Sequence, residues 1–123
     1  MAEPKQGQET IYRKPLYTAL LAQAKKVGKV EVKEIVFQPG QKTGFHYHPC
    51  PVVGYVVEGT VAFQVDGCEE KTLRAGEAFF EPCNAKIRKF DNASDSNGMK
   101  FIAFYLLDAN ENELIRMLEE DKK

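Results

Sequence analysis

The stretch "GFHYHPCPVVGYVVEGTVAFQVDG", Gly44–Gly67, decides the fold. Its second half holds two short runs rich in β-branched and aromatic residues, "VVGYVVEG" and "TVAFQVDG", on either side of Glu58-Gly59. That turn pair predicts a β-hairpin. Asp66-Gly67 is a second turn signal and leads into "CEEKTLR". Upstream, "KVEVKEIVF" puts Val30, Val32 and Val36 on one face of a strand that ends at Pro39-Gly40. Downstream come "AGEAFFEP", closed by Pro82, then "AKIRKFDN" and "KFIAFYLL", the last two separated by the loop "NASDSNG". Seven or eight short strands spaced by turns predict an all-β antiparallel sandwich or barrel.

The flanks read differently. In "KPLYTALLAQAKK", Pro15 suits a first helical turn, and Leu16, Leu20 and Ala24 recur at helical spacing, so a short helix ending at Gly28 is expected. In "ANENELIRMLEEDKK", Asn110 is a plausible cap, and Leu114, Ile115 and Leu118 share a helical face. The expected organisation is one domain: 1–29 a tail and short helix, 30–108 a barrel, 109–123 a C-terminal helix.

The chain has 123 residues, enough for one hydrophobic core. Seventeen basic against eighteen acidic residues leave a formal charge of -1, which gives no support to nucleic acid or an anionic membrane as a partner. The N-terminal "MAEPKQGQET" lacks the apolar core of a signal peptide, and the longest apolar run, Phe101–Leu107, is too short to span a bilayer. Cys50, Cys68 and Cys83 fit no paired framework, so reduced thiols in a cytoplasm are expected.

Both histidines of the chain, His46 and His48, lie in the opening stretch. Two residues apart on a strand, they point the same way with backbones ~6.5 Å apart, close enough for their rings to converge on one ion. An ion needs a further ligand, and two completions are open. Cys50 continues the same face and gives a set suited to zinc, nickel or copper, although Pro49 and Pro51 bend the chain on either side of it. Glu81, set beside Phe79 and Phe80, must be paired, metal-bound or turned to solvent. With the two histidines it makes a 2-His-1-carboxylate set that favours iron or manganese, and this is the preferred completion.

Several other residues are candidates for the pocket. Tyr47 and Tyr55 read as wall aromatics, either of whose hydroxyls can line the interior, and Gln41 and Gln64 are polar positions within reach of it. Cys83, next to Pro82, is a reactive thiol or a buried inert one. Arg88, with Lys86 nearby, can receive an anionic ligand group or be a solvated surface charge. The chain has no Ser-His-Asp arrangement, no phosphate-binding glycine loop and no CxxC pair.

Gly40, His46, His48 and Gly59 fit the first motif of the cupin family, with Val52 or Val53 where that motif has a metal-binding Glu. Gly76 and Pro82 fit the second motif, with Asn84 in place of a Gly, Ile87 in place of the third metal-binding His, and Asp91 or Asn92 at its Asn. Over residues 30–107 the chain thus resembles the cupins, and in "HPCPVVGYVVEG" and "GEAFFE" it resembles their small single-domain bacterial members. The resemblance implies a jelly-roll barrel, a divalent metal (Fe, Mn, Ni or Zn), a small-molecule substrate or ligand, and a homodimer. Two functions follow from it as expectations. One is a metal-dependent oxygenase or isomerase acting on a small organic acid, phenolic or diketone compound. The other is a non-catalytic small-molecule-binding or sensory barrel, because replacement of both the Glu and the third His is what a barrel shows after giving up its metal.

Overall fold

Along Met99–Leu107 every second side chain is buried, namely Met99, Phe101, Ala103, Tyr105 and Leu107, which is the period of a strand with one face on a core. The same rule organises the whole computed structural model, which describes residues 10–120. Its strands are β1 (Lys29–Phe37), β2 (His46–Tyr47), β3 (Val52–Glu58), β4 (Thr60–Val65) and β5 (Lys71–Arg74). They continue with β6 (Ala78–Glu81), β7 (Lys86–Asn92), β8 (Met99–Leu107) and β9 (Arg116–Met117). Two antiparallel sheets face each other as a jelly roll, one in the order β1-β8-β3-β6 and the other β5-β4-β7-β2-β9. Between them Phe63, Phe79, Phe90 and Phe101 form an aromatic cluster with ring centroids 4.7–6.3 Å apart.

The turn at Glu58-Gly59 corrects the expected hairpin. β3 pairs with β6 and β8, whereas β4 pairs with β5 and β7, so the chain changes sheets at this corner. Gly59 makes the corner possible: its φ is +86°, and a Cβ there would lie 2.7 Å from the Gly98 carbonyl oxygen. The Asp66-Gly67 turn, by contrast, does close a hairpin, with Phe63 opposite Lys71 and Thr60 opposite Arg74.

The two terminal helices are not formed. Residues 10–27 form neither helix nor strand, and Leu16 and Leu20 are exposed rather than on a buried helical face. A helix of that length is marginal without a surface to bury against. The irregular segment instead brings Tyr17 to Phe80, at 6.5 Å between ring centroids, and pairs Lys25 with Glu111. At the other end the backbone groups that a helix would use are committed elsewhere. The Leu114 carbonyl accepts from His48, the Leu118 N–H donates to Phe45 O at 2.9 Å, and β9 joins the sheet beside β2. Residues 1–9 and 121–123 of the expected tail and helix lie outside the described residues.

Gly54 makes room for the ring of Phe79, its paired residue on the neighbouring strand β6. A Cβ at this position would fall 2.1 Å from the Phe79 ring. Gly54→Ala is therefore expected to cost about 1–3 kcal/mol through displacement of the aromatic cluster, read as a lower urea midpoint with unchanged slope.

Candidate metal centre

Strand parity places the first two groups of the centre. On β2 His46 turns inward and Tyr47 outward, and His48, just past the strand end, turns inward again. Pro49 and Pro51 then break the chain before β3 begins at Val52. Glu81 is the last residue of β6 and pairs directly with Val52, while His46 pairs directly with Ile87 on β7. The Glu expected near Val52 and the third His expected at Ile87 are thus both replaced by apolar side chains at the centre itself. The carboxylate is present one strand across, at the position facing Val52. Side chains opposed in this way have Cβ atoms ~4.5–5.5 Å apart, so a carboxylate from either strand reaches much the same space.

His46, His48 and Glu81 are all buried, and one ligand atom from each falls within 4.8 Å of the others. His48 Nε2 lies 3.0 Å from Glu81 Oε1, and His46 Nε2 lies 3.8 Å from Glu81 Oε2. Both Nδ1 atoms are occupied on the far side of the rings, His46 donating to Gly44 O and His48 donating to Leu114 O, each at 2.7 Å. With Nδ1 donating on the far side, each ring presents Nε2 to the carboxylate, where it takes either a proton or a metal ion.

The donor set fits a divalent ion. Ligands ~2.1 Å from an ion stand roughly 3.0–3.4 Å apart; the His48–Glu81 separation matches this and the His46–Glu81 separation is a little wider. Glu81 Oε2 supplies a second sign: it is buried, and among the described residues it is the one buried side-chain oxygen or nitrogen without a hydrogen-bond partner. Leaving such an atom unpartnered costs about 1–3 kcal/mol or more for a charged group, a cost that coordination removes.

Burial opposes ionisation of Glu81, yet the two imidazoles facing it outweigh burial and hold its pKa below the usual carboxylate value. Burial likewise opposes charging of His48, and the Glu81 hydrogen bond, its charge and the Leu114 carbonyl together outweigh that and raise the pKa. A proton on His48 therefore competes with a metal up to a higher pH than on an ordinary imidazole, whereas Glu81 is held ionised. Metal affinity is expected to fall about tenfold per pH unit once the pH drops below the raised His48 value. Calorimetric titration with Mn²⁺ at pH 8 and pH 6 measures it, and equal affinities would exclude His48 as a ligand.

The three groups sit at one end of a cavity of about 140 Å³ whose other walls are mainly apolar, among them Phe37, Phe90, Phe101 and Ile115. Tyr105 also lines it, with its ring 5.9 Å from that of His48. Burial, with Glu81 nearby, pushes the Tyr105 hydroxyl up to about 12, so it is a neutral donor at ordinary pH. Tyr105, Thr43 (which also lines the cavity) and the Leu114 carbonyl were not singled out from the sequence. The alternation of β8 marks Tyr105 as inward-facing, whereas nothing local marks Leu114.

The other sequence candidates lie away from this cavity. Cys50 is buried in the hydrophobic core outside the three-residue cluster, and burial pushes its thiol up to about 11, so the His-x-His-x-Cys completion is not assembled. Tyr55, on the opposite parity to inward Val52, Gly54 and Val56, faces out. Tyr47 also faces out, with the Arg116 guanidinium 5.8 Å from its ring centre. Gln64 donates to Cys68 O, Gln41 accepts from the Gln38 N–H, and Arg88 lies over the Phe45 ring while bonded to Asp66 and Glu120. Cys83 is exposed and borders a separate outer groove with Phe80 and Pro82.

Among the described residues no helix is long and apolar enough to cross a membrane. A family model described as a cupin domain matches residues 33–105, more than half of the chain. No curated protein matches. Among solved structures, a cupin-like protein from Thermotoga maritima is similar at 22% identity and a TM-score of 0.62, over 72% of this chain and 64% of that one. An RmlC-like cupin from Shewanella frigidimarina shares 28% identity at a TM-score of 0.55, over 66% and 68%. The polyketide cyclase RemF from Streptomyces resistomycificus shares 19% at 0.60, over 76% and 63%. The chain thus spans a little under two thirds of the length of the Thermotoga and Streptomyces proteins.

Proposed function

The chain belongs to the cupin family, and from that premise we propose that it holds one divalent ion on His46, His48 and Glu81 and acts on a small organic molecule in the cavity beside them. The observation that carries the proposal is the convergence of two oriented Nε2 atoms on a buried, half-unpartnered carboxylate. Two histidines and one carboxylate suit iron or manganese, with nickel or zinc as the alternatives. A bound ion supplies Lewis-acid polarisation of a substrate oxygen and leaves coordination positions open for the substrate.

The protein's own groups supply the rest. The aromatic wall excludes water and receives the apolar part of the substrate, and the Tyr105 hydroxyl donates a hydrogen bond to a developing negative oxygen. Oxygenation or isomerisation of a small acid, phenol or diketone is the reaction class proposed, and the small-molecule chemistry named for the Streptomyces relative is in keeping with it. The working unit in this reading is a cytoplasmic homodimer, each subunit carrying its own complete site.

Ile87, wholly buried where a fourth ligand is expected, favours a second reading in which the barrel binds a small molecule without metal. Metal content separates the two. Mass spectrometry of tag-free protein is expected to find close to one equivalent of iron, manganese, nickel or zinc, with under a tenth of that in His46→Ala. Protein that is metal-free and takes up no added ion would leave the second reading standing.

A further inference from the structure

The cavity beside His46, His48 and Glu81 has two unlike ends. Its unfilled polar capacity is at one end, where Glu81 Oε2 has no hydrogen-bond partner and the Tyr105 ring stands beside His48. Thr43, the other hydroxyl on the wall, already donates to Phe90 O at 2.5 Å. The rest of the lining is aliphatic or aromatic, and no lysine or arginine belongs to it. A ligand with one polar head finds partners there, whereas a second charged group would be buried without one, at a heavy cost. Size is limited as well. The volume is about 140 Å³, and an apolar cavity of about 150 Å³ accommodates one benzene molecule. One six-membered ring therefore fills the space.

Every lining residue but one is buried or half-buried. The exception is Ile115, 41% exposed, so the cavity meets solvent beside it. Ile115 is also the one lining residue that comes from beyond β8, on the segment 108–118. That segment is held at three points. The Leu114 carbonyl accepts from His48 Nδ1 at 2.7 Å, Arg116 and Met117 pair with Tyr47 and His46, and the Leu118 N–H donates to Phe45 O at 2.9 Å. Ile115 thus follows directly on a residue bonded to His48. The backbone that orients the histidine also sets the place of Ile115 at the mouth.

We propose that Ile115 is the specificity-determining residue of this cavity, closing its mouth so that the occupant is a single six-membered ring with one hydroxyl or oxyanion directed at Glu81. The inference rests on this cavity being the substrate site, as proposed above, but not on a metal being there. Without metal, the hydroxyl donates to Glu81 Oε2; with metal, the same oxygen faces the ion. A second fused ring meets the Ile115 side chain and is excluded.

Equilibrium dialysis of the full chain against phenol and 1-naphthol, with and without Zn²⁺, tests it, and circular dichroism verifies that each variant folds. The parent is expected to bind phenol roughly tenfold or more tightly than 1-naphthol. Ile115→Ala is expected to bring the two to within about threefold of each other by admitting the second ring. Ile115→Trp, which overfills the mouth, is expected to weaken phenol itself by roughly tenfold or more. Glutarate, with two carboxylates, is expected not to displace phenol. Equal affinities in the parent, an unchanged ratio in Ile115→Ala, unchanged phenol affinity in Ile115→Trp, or no phenol binding in either metal state overturns the inference. Displacement by glutarate overturns the single polar head. A parent that takes up no Zn²⁺, yet keeps the preference and loses it in Ile115→Ala, upholds the inference and overturns the metal reading instead.

Discussion

Glu81→Ala is expected to weaken metal binding by about 3–5 kcal/mol, the cost of taking one partner from a buried charged set, which is roughly 10²–10⁴-fold in affinity. Adding Val52→Glu to it is expected to restore affinity to within about tenfold of the parent. The reason is register: Val52 and Glu81 are paired residues of β3 and β6, both point inward, and both line the cavity. Removal of the Glu81 side chain also makes room for the longer one opposite. Calorimetric titration of the parent, the single variant and the double variant with Mn²⁺ measures each step. If the double variant stays folded yet binds as weakly as Glu81→Ala, the two positions do not share a site. In the metal-free Glu81→Ala protein the His48 pKa should fall, because burial, the strongest influence on it, is then no longer outweighed by the carboxylate. A ring-proton titration by NMR would show the change.

Ile87→His is expected to change the balance between metal-free and metal-loaded protein more than any other single substitution on β7. Ile87 is wholly buried and pairs with His46, so a histidine there faces the same space as the existing ligands. The side chains are similar in volume, and packing alone should tolerate the change. Without metal, the buried ring brings an unpartnered polar group into the core at about 1–3 kcal/mol, and the melting temperature should fall by several degrees. With saturating Mn²⁺ or Ni²⁺ a third imidazole coordinates, and the variant should gain a larger metal-induced thermal shift than the parent. A metal-induced shift no greater than the parent's would mean that position 87 does not reach the ion.

These two variants rest on facts of different origin. That His46 and His48 share a face follows from their spacing, and the oddness of a carboxylate beside Phe79 and Phe80 follows from the cost of burying charge. Both were legible along the chain. That Glu81 faces Val52 was not, because register joins residues far apart in sequence and depends on which strands become neighbours. Cys50 illustrates the same limit: its spacing continued the histidine pattern, but its thiol lies in the hydrophobic core outside the histidine–carboxylate cluster.

The terminal segments show where local signals mislead. Leu16, Leu20 and Ala24, and later Leu114, Ile115 and Leu118, have helical spacing, and propensity alone supports two helices. Tertiary bonds took precedence. Leu114 gives its carbonyl to His48, Leu118 its N–H to Phe45, and the arm meets Phe80 and Glu111. Likewise the Glu58-Gly59 turn signal was real, but the partners of the strands it joins were a property of the sheets.

The sequence by itself determined an all-β chain of short strands, the inward direction of the two histidines, and a carboxylate in need of a partner, because strand parity and burial cost act over a few residues. Only the tertiary structure decided that Glu81, rather than Cys50, meets the histidines, that Tyr105 lines the cavity, that the described parts of both terminal segments form no helix, and that one sheet keeps an apolar face outward. Those outcomes depend on which distant strands pair and which faces find cover, and no local pattern carries that information.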